Sequence, residues 1–324
     1  MRRAVPWIAA VCFLAGIALA AGSHVEASRN FGKLSSERNE LRAGAPARAE
    51  AMPLPGVVLW AWERPDDLSG IQRGEAGVAY LAGTIFLREG GGARASDGNA
   101  DGVAFRPRLQ PLKIATNVAR MPVVRIETSR GPLSAAVTDI DSPSRTTTSQ
   151  LTEAQRVRVV DALAQVASAS EPPMIQIDFD AAASERPFYE SLLTDLRKRL
   201  GPQAHISITA LASWCEGDAW LAQLPAGTID EAVPMLFRMG RDAARVEATL
   251  ASQGEFRAGV CRASVGVSDD EQLSRSILTG QIAATREWSQ KRIYVFHNGT
   301  WNSASNLAVL GDLKKWHADF SVSR

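Results

Sequence analysis

The sequence predicts an α/β protein of the (β/α)8 (TIM) barrel class. Three observations carry that prediction: eight short apolar runs alternate with amphipathic stretches, no glycine fingerprint for phosphate follows the first run, and residues 51–324 have the length of one large barrel domain.

The chain opens "MRRAVPWIAAVCFLAGIALAAGS", with two arginines, an apolar run and small residues at Ala18 and Ala20. This pattern predicts a secretory signal peptide over residues 1–20, and hence export to the periplasm or beyond the cell. The alternative is an N-terminal membrane anchor, for which the apolar run barely reaches the ~20 residues a span needs. Residues 21–50 are charged, small and interrupted by Pro and Gly, too poor in apolar surface to offset the entropy of ordering them, and are read as a disordered linker.

The strand runs fall at 57–62, 77–86, 122–127, 174–180, 205–211, 232–238, 263–268 and 292–297. Gly90 to Gly102 is a flexible insertion after the second, with an extra strand expected over 103–110. Helices are expected at 65–73, 151–169, 184–200, 218–224, 243–253, 269–288 and 303–317. The clearest is 184–200, where Phe188, Leu192, Leu196 and Leu200 recur every fourth position, Ser184 suits the N-cap, Pro187 the first turn and Gly201 the stop.

Side chains alternate across a strand, so each run sends one set toward the barrel axis. In "MIQIDFD", Ile175, Ile177 and Phe179 suit the helix layer, and Gln176, Asp178 and Asp180 face inward. The same rule sends Arg125 and Glu127, then Ser207 and Thr209, into the interior. Barrels are commonly filled by Val, Ile and Leu, and buried charge is costly unless paired. Arg125, Glu127, Asp178 and Asp180 are therefore expected to form one network near the C-terminal ends of the strands. Acids of differing pKa there suit glycoside hydrolysis, and a structural ion-pair network is the other reading.

Further candidates end other strands. Glu63, behind Trp60 and Trp62, reads either as an acid on a sugar-stacking floor or as the first turn of the 65–73 helix. Trp214 reads as a stacking or a core residue, and Arg238 and His297 as ligand contacts or partners of neighbouring carboxylates. Ser268 with Glu271 reads as a capping box, and "NGT" at 298–300 as a glycosylation acceptor or a tight turn. Cys215 and Cys261 are both downstream of the leader; export favours a bond between them, and their expected places at opposite ends of the barrel oppose it.

A net charge of +1 gives no electrostatic footprint for nucleic acid, and no second membrane-length apolar run follows the leader. With four histidines and no zinc-type spacing, neither a metal nor a cofactor is expected, and the sequence sets no oligomeric state.

The blocks "VVLWAWERPDDL", "GVAYLAGTI", "RLQPL", "VVRIE", "IQIDFDAAASERPFY", "SITALASWC", "DEAVPMLFRMG" and "SVGVSDDE" resemble an uncharacterised bacterial family, domain-of-unknown-function family 3142, over nearly all of residues 55–297. More distantly, "IQIDFD" is similar to the strand-four signature D-G-x-D-[hydrophobic]-D-x-E of family 18 chitinase-type glycoside hydrolases, Asp178 and Asp180 matching its last two aspartates. The acid Glu of that signature falls at Ala182. "MLFR" is similar to that family's strand-six M-x-Y-D, with Phe237 for Tyr and Arg238 for Asp.

The residues and the resemblance together imply a glycoside-hydrolase-like barrel acting on a cell-envelope or extracellular polysaccharide. Asp180 is assigned as acid or charge stabiliser, Asp178 and Glu127 as its partners, and Glu127 as first choice for the general acid. Trp60, Trp62, Glu63, Arg125, Trp214, Arg238 and His297 are assigned to substrate. The alternative is a non-catalytic carbohydrate-binding or scaffold protein on a degenerate glycosidase barrel.

Overall fold

A computed structural model describes residues 53–88, 102–129, 151–253, 255–278 and 291–321; the expected leader, linker and most of the 90–102 insertion lie outside these residues. In chain order the elements are β1 (Val57–Ala61), β2 (Asp66–Leu68), β3 (Gly77–Arg88), β4 (Val103–Pro107), β5 (Leu112–Ile114), β6 (Arg120–Ser129), α1 (Glu153–Ala167), β7 (Met174–Asp178), α2 (Arg186–Leu200), β8 (His205–Leu211), α3 (Ala212–Glu216), α4 (Trp220–Gln223), β9 (Glu231–Met235), α5 (Ala243–Gln253), β10 (Ser264–Ser268), α6 (Gln272–Leu278), β11 (Arg292–Phe296) and α7 (Ser303–Ser321).

Eight parallel strands run β1-β11-β10-β9-β8-β7-β6-β3, and β3 pairs back to β1, closing the barrel. These are the eight apolar runs of the sequence. The extra strand expected over 103–110 is β4, which pairs with β3 in antiparallel fashion. Strand alternation divides the apolar residues into two populations. Ile175, Ile177, Ile206, Ile208, Val124 and Ile126 pack outward into the helix layer. Val58, Trp60, Met121, Val123, Val233 and Tyr294 fill the interior.

Helix ends follow local chemistry. Thr152 caps α1 in a reciprocal box with Gln155, and Gly201 ends α2 at a φ of 81°, a conformation that favours glycine. Three local expectations are corrected. Residues 65–73 form no helix: Asp67 Oδ1 accepts the Ser69 N–H at 3.2 Å, a side-chain turn that competes with helix. Asp66 there pairs with Arg108 at 3.2 Å and accepts the Trp301 N–H at 2.9 Å, so that β2 pairs with β5. The α2 N-cap is Glu185 rather than Ser184, its carboxylate taking the Ala182 N–H at 2.7 Å. Ser268 and Glu271 make no capping box, because Ser268 Oγ bonds Asp270 and Glu271 Oε1 accepts the Arg238 N–H at 2.8 Å.

Cys215 and Cys261 are disulfide-bonded, with Cα atoms 5.9 Å apart. The expected separation is absent because the segment after α5 returns to α3, where the Ala258 N–H donates to the Cys215 carbonyl at 3.2 Å.

The barrel floor is polar. Glu231 accepts from Arg292 Nη1 and Tyr294 Oη, each at 2.7 Å, and from Ser207 Oγ at 3.0 Å. Gln176 Nε2 donates to Ser207 Oγ at 3.0 Å, and Trp60 Nε1 donates to Gln176 Oε1 at 2.7 Å. Burial, then Glu231, pushes the Tyr294 phenol well above its usual range, so it stays a neutral donor. Above this chain the Trp60 indole lies against Gly266, where an added Cβ would stand 2.7 Å from Cη2.

Glu231→Ala is expected to cost about 3–5 kcal/mol in urea unfolding, because it removes the carboxylate from a buried pair, with Glu231→Gln costing less. Gly266→Ala is expected to cost about 1–3 kcal/mol by overpacking against Trp60, and its near-UV circular dichroism should report the displaced indole.

Candidate functional site

The C-terminal ends of the barrel strands surround a cavity of about 510 Å³. Its floor and one side are aromatic: Trp60, 3% exposed, stacks on Tyr294 at 5.1 Å, and Phe237 stacks on Phe296 at 5.4 Å. Trp62, half-buried, lines it higher up. The facing wall carries Arg125, Asp178, Asp180 and Thr209. A second depression of about 370 Å³ begins at the same three charged residues and includes Glu127.

Strand register assembles that wall. Arg125 on β6 lies beside Asp178 on β7, and Ile177 pairs with Ile208, which brings the next inward residue, Thr209, to Asp178. Thr209 Oγ1 donates to Asp178 Oδ1 at 2.7 Å. Arg125 Nε lies 3.0 Å from Glu127 Oε1 and 3.9 Å from Asp178 Oδ2. Asp180, one step beyond the strand, is exposed and within the electrostatic reach of Arg125.

Burial pushes Asp178 up to about 6, with the Asp180 charge adding to it and the Thr209 hydrogen bond and Arg125 opposing. Desolvation also raises Asp180 above the ordinary aspartate value, against the lowering pull of Arg125. Arg125 does not offset burial at Asp178: its side chain is 39% exposed, so solvent screens it.

The cavity brings together Trp60, Trp62, Arg125, Asp178, Asp180 and Arg238 from the sequence-derived set. Glu127 faces the outer depression and stays within the Arg125 pair. Three others lie off the lining. Glu63 Oε1 accepts the N–H groups of Leu109 and Gln110 at 2.8 and 3.2 Å, tying down the β4–β5 connection. Trp214, 1% exposed, packs edge-on against Trp220 in the helix layer. His297 Nδ1 sits 2.6 Å from Asp269 Oδ2 with its ring against Trp301.

Sequence reasoning missed Arg64, Phe296 and Asn298. Arg64 adjoins the helix expected over 65–73, which does not form, although its place just past strand one was a signal. Asn298 was read only as a turn or a glycosylation acceptor, and its side chain instead accepts from Arg238 Nη2 at 2.9 Å. Among the described residues no cluster of His, Cys, Asp and Glu is arranged to hold a metal ion, and no helix is long and apolar enough to cross a membrane.

Fold and site together define a (β/α)8 barrel with an aromatic cavity and a carboxylate-bearing wall at the strands' C-terminal ends. Residues 145–237 match a family described as Domain of unknown function (DUF3142), a narrower span than the 55–297 over which the blocks resemble it. Among solved structures, a family GH18 chitinase from Chromobacterium violaceum is similar with a TM-score of 0.40 and 10% identity, over 84% of each chain. No curated protein matches the chain.

The raised Asp178 couples stability to pH. Its folded pKa of about 6 exceeds the unfolded value of 3.8, so the native state binds the proton more tightly, and stability present below 3.8 is lost as pH rises through 6. Asp178→Asn removes this loss. Its stability relative to the parent should rise by about 2 kcal/mol between pH 4 and pH 8 in denaturant titrations.

Proposed function

We propose that this protein is an exported glycoside-hydrolase-type barrel that binds an oligo- or polysaccharide segment in the cavity and cleaves it. One observation carries the reading: Asp178 and Asp180 border a single cavity that also has an aromatic floor, and Arg125 stands beside them, half-open to solvent, rather than sealing them off. A sugar ring needs an apolar surface for its C–H face and polar groups for its hydroxyls, and both are present here.

In this reading Asp178, rather than Glu127, is the proton donor. A carboxyl near pKa 6 holds a proton close to neutral pH and gives it up readily. The proton passes from Asp178 to the glycosidic oxygen, and the bond from that oxygen to the anomeric carbon breaks. The exposed Asp180 carboxylate stabilises the positive charge left on the sugar, and water completes hydrolysis. Arg125 orients the Asp178 and Glu127 carboxylates. Export is supported by the leader-like sequence and by the Cys215–Cys261 bond, which belongs to an oxidising compartment.

A specific observation favours the second reading, a non-catalytic carbohydrate-binding barrel. Ala182 stands where the similar chitinase signature carries its acid, and no other carboxylate takes that position in the motif.

Incubation of the purified protein with bacterial envelope and exopolysaccharide fragments, followed by chromatography, separates the two. The parent should release shorter fragments, with a rate that declines as pH rises through about 6, and Asp178→Asn and Asp180→Asn should each lower the rate by about 100-fold or more. Binding by all three proteins without cleavage selects the second reading, and absence of binding discards both.

A further inference from the structure

Three arginines border the cavity, and they are not equivalent. Arg125 is matched by Glu127 and Asp178 on its own wall. Arg64, past β1, and Arg238, past β9, stand on the opposite arc of the ring, and both converge on Asn298, past β11. Arg238 Nη2 donates to Asn298 Oδ1 at 2.9 Å, Arg64 Nη2 lies 3.4 Å from the same oxygen, and Arg64 Nη1 donates to the Asn298 carbonyl. Two like charges are thus held within reach of one neutral carboxamide.

Nothing charged offsets them at contact distance. Among the described residues no carboxylate lies within 4.0 Å of either guanidinium. The acids nearby make their closest contacts elsewhere: Asp66 with Arg108 at 3.2 Å, Asp242 with Arg245 at 3.2 Å, Asp270 with the Ser268 hydroxyl, and Glu271 with the Arg238 backbone N–H at 2.8 Å, while Asp66 feels the Arg64 charge and Asp270 the Arg238 charge from beyond contact distance. That last bond holds Arg238 at a φ of 55°, a left-handed conformation unusual for a residue with a side chain. Its guanidinium lies over the Phe296 ring at 5.0 Å, at the edge of the aromatic floor. Two forked donors, positioned but without a contacting carboxylate, over a floor suited to a sugar ring, form a receptor for an oxyanion attached to that ring.

We propose that the cavity takes an anionic saccharide, a glycan unit carrying a carboxylate or a sulfate group, with the anion held between Arg64 and Arg238 and the ring over the aromatic floor. The proposal rests on the glycan reading of the same cavity and adds its substrate class. A neutral glycan leaves the two cations facing each other, whereas an anion relieves their repulsion and keeps their hydrogen bonds.

Calorimetric titration of the full chain with a uronic-acid trisaccharide, a sulfated trisaccharide and a neutral trisaccharide tests it, using the parent, Arg64→Gln, Arg238→Gln and Arg238→Lys. At least one anionic ligand should bind about tenfold more tightly than the neutral one, lose about tenfold or more in each Gln variant, and recover in part with Arg238→Lys. The neutral affinity should fall less than the anionic affinity in the same variants, and the tighter anionic arm identifies the group. A readout that needs no variant accompanies this: anionic affinity in the parent should fall steeply between about 20 and about 300 mM salt while neutral affinity holds. Equal affinity for neutral and anionic ligands, insensitive to salt, overturns the anionic proposal and leaves the glycan reading standing. Binding of none of the three overturns both.

Discussion

Glu231 is the group on which the rest of the barrel depends. A carboxylate buried at the base of a closed sheet is costly in isolation, and this one accepts hydrogen bonds from Arg292, Tyr294 and Ser207. Through Ser207 and Gln176 the chain of polar contacts climbs to the Trp60 indole, so side chains on β11, β9, β8, β7 and β1 share one network. Arg292 also reaches the carbonyls of Leu54 and Pro55, closing the bottom of the barrel with backbone. Apolar contacts are non-directional and tolerate slippage; a chain of directed bonds across five strands does not.

Register set at the base determines what meets at the top. Because Gln176 is fixed beside Ser207, the next inward pair up those strands is Asp178 and Thr209, which make their own bond. Because Trp60 is anchored by its ring nitrogen and crosses to Gly266, the interior is filled at mid-height. Asp178 lies just above that plug, near enough to it to be desolvated and near enough to the mouth to meet a ligand. Its raised pKa follows first from its burial at that height, with the Asp180 charge adding to it.

The barrel itself was legible because its signal is repeated: eight apolar runs with one period, each of which also sorts inward from outward residues. That rule placed Gln176, Asp178, Arg125, Ser207 and Thr209 correctly, since strand alternation is local. What stayed hidden depended on partners distant in sequence. Residues 65–73 have helix-like composition, and only the bonds from Trp301 and Arg108 to Asp66 show why they form a strand instead. Trp214 and Trp60 read alike in sequence, but Trp214 follows β8 on a short helix that turns it into the outer layer. Arg64, Arg238 and Asn298 lie 60 residues or more apart along the chain except where strand ends gather them, so no spacing could announce their cluster.

The disulfide gives the cavity two unlike sides. Ala212 and Ser213 line it just before Cys215, whose bond to Cys261 cross-links that arc to the segment leading into β10. The arc of Arg64, Arg238 and Asn298 is held by hydrogen bonds and by the packing of Arg238 over the Phe296 ring. The disulfide joins covalently two segments that lie 46 residues apart along the chain, one following β8 and one leading into the strand between β9 and β11.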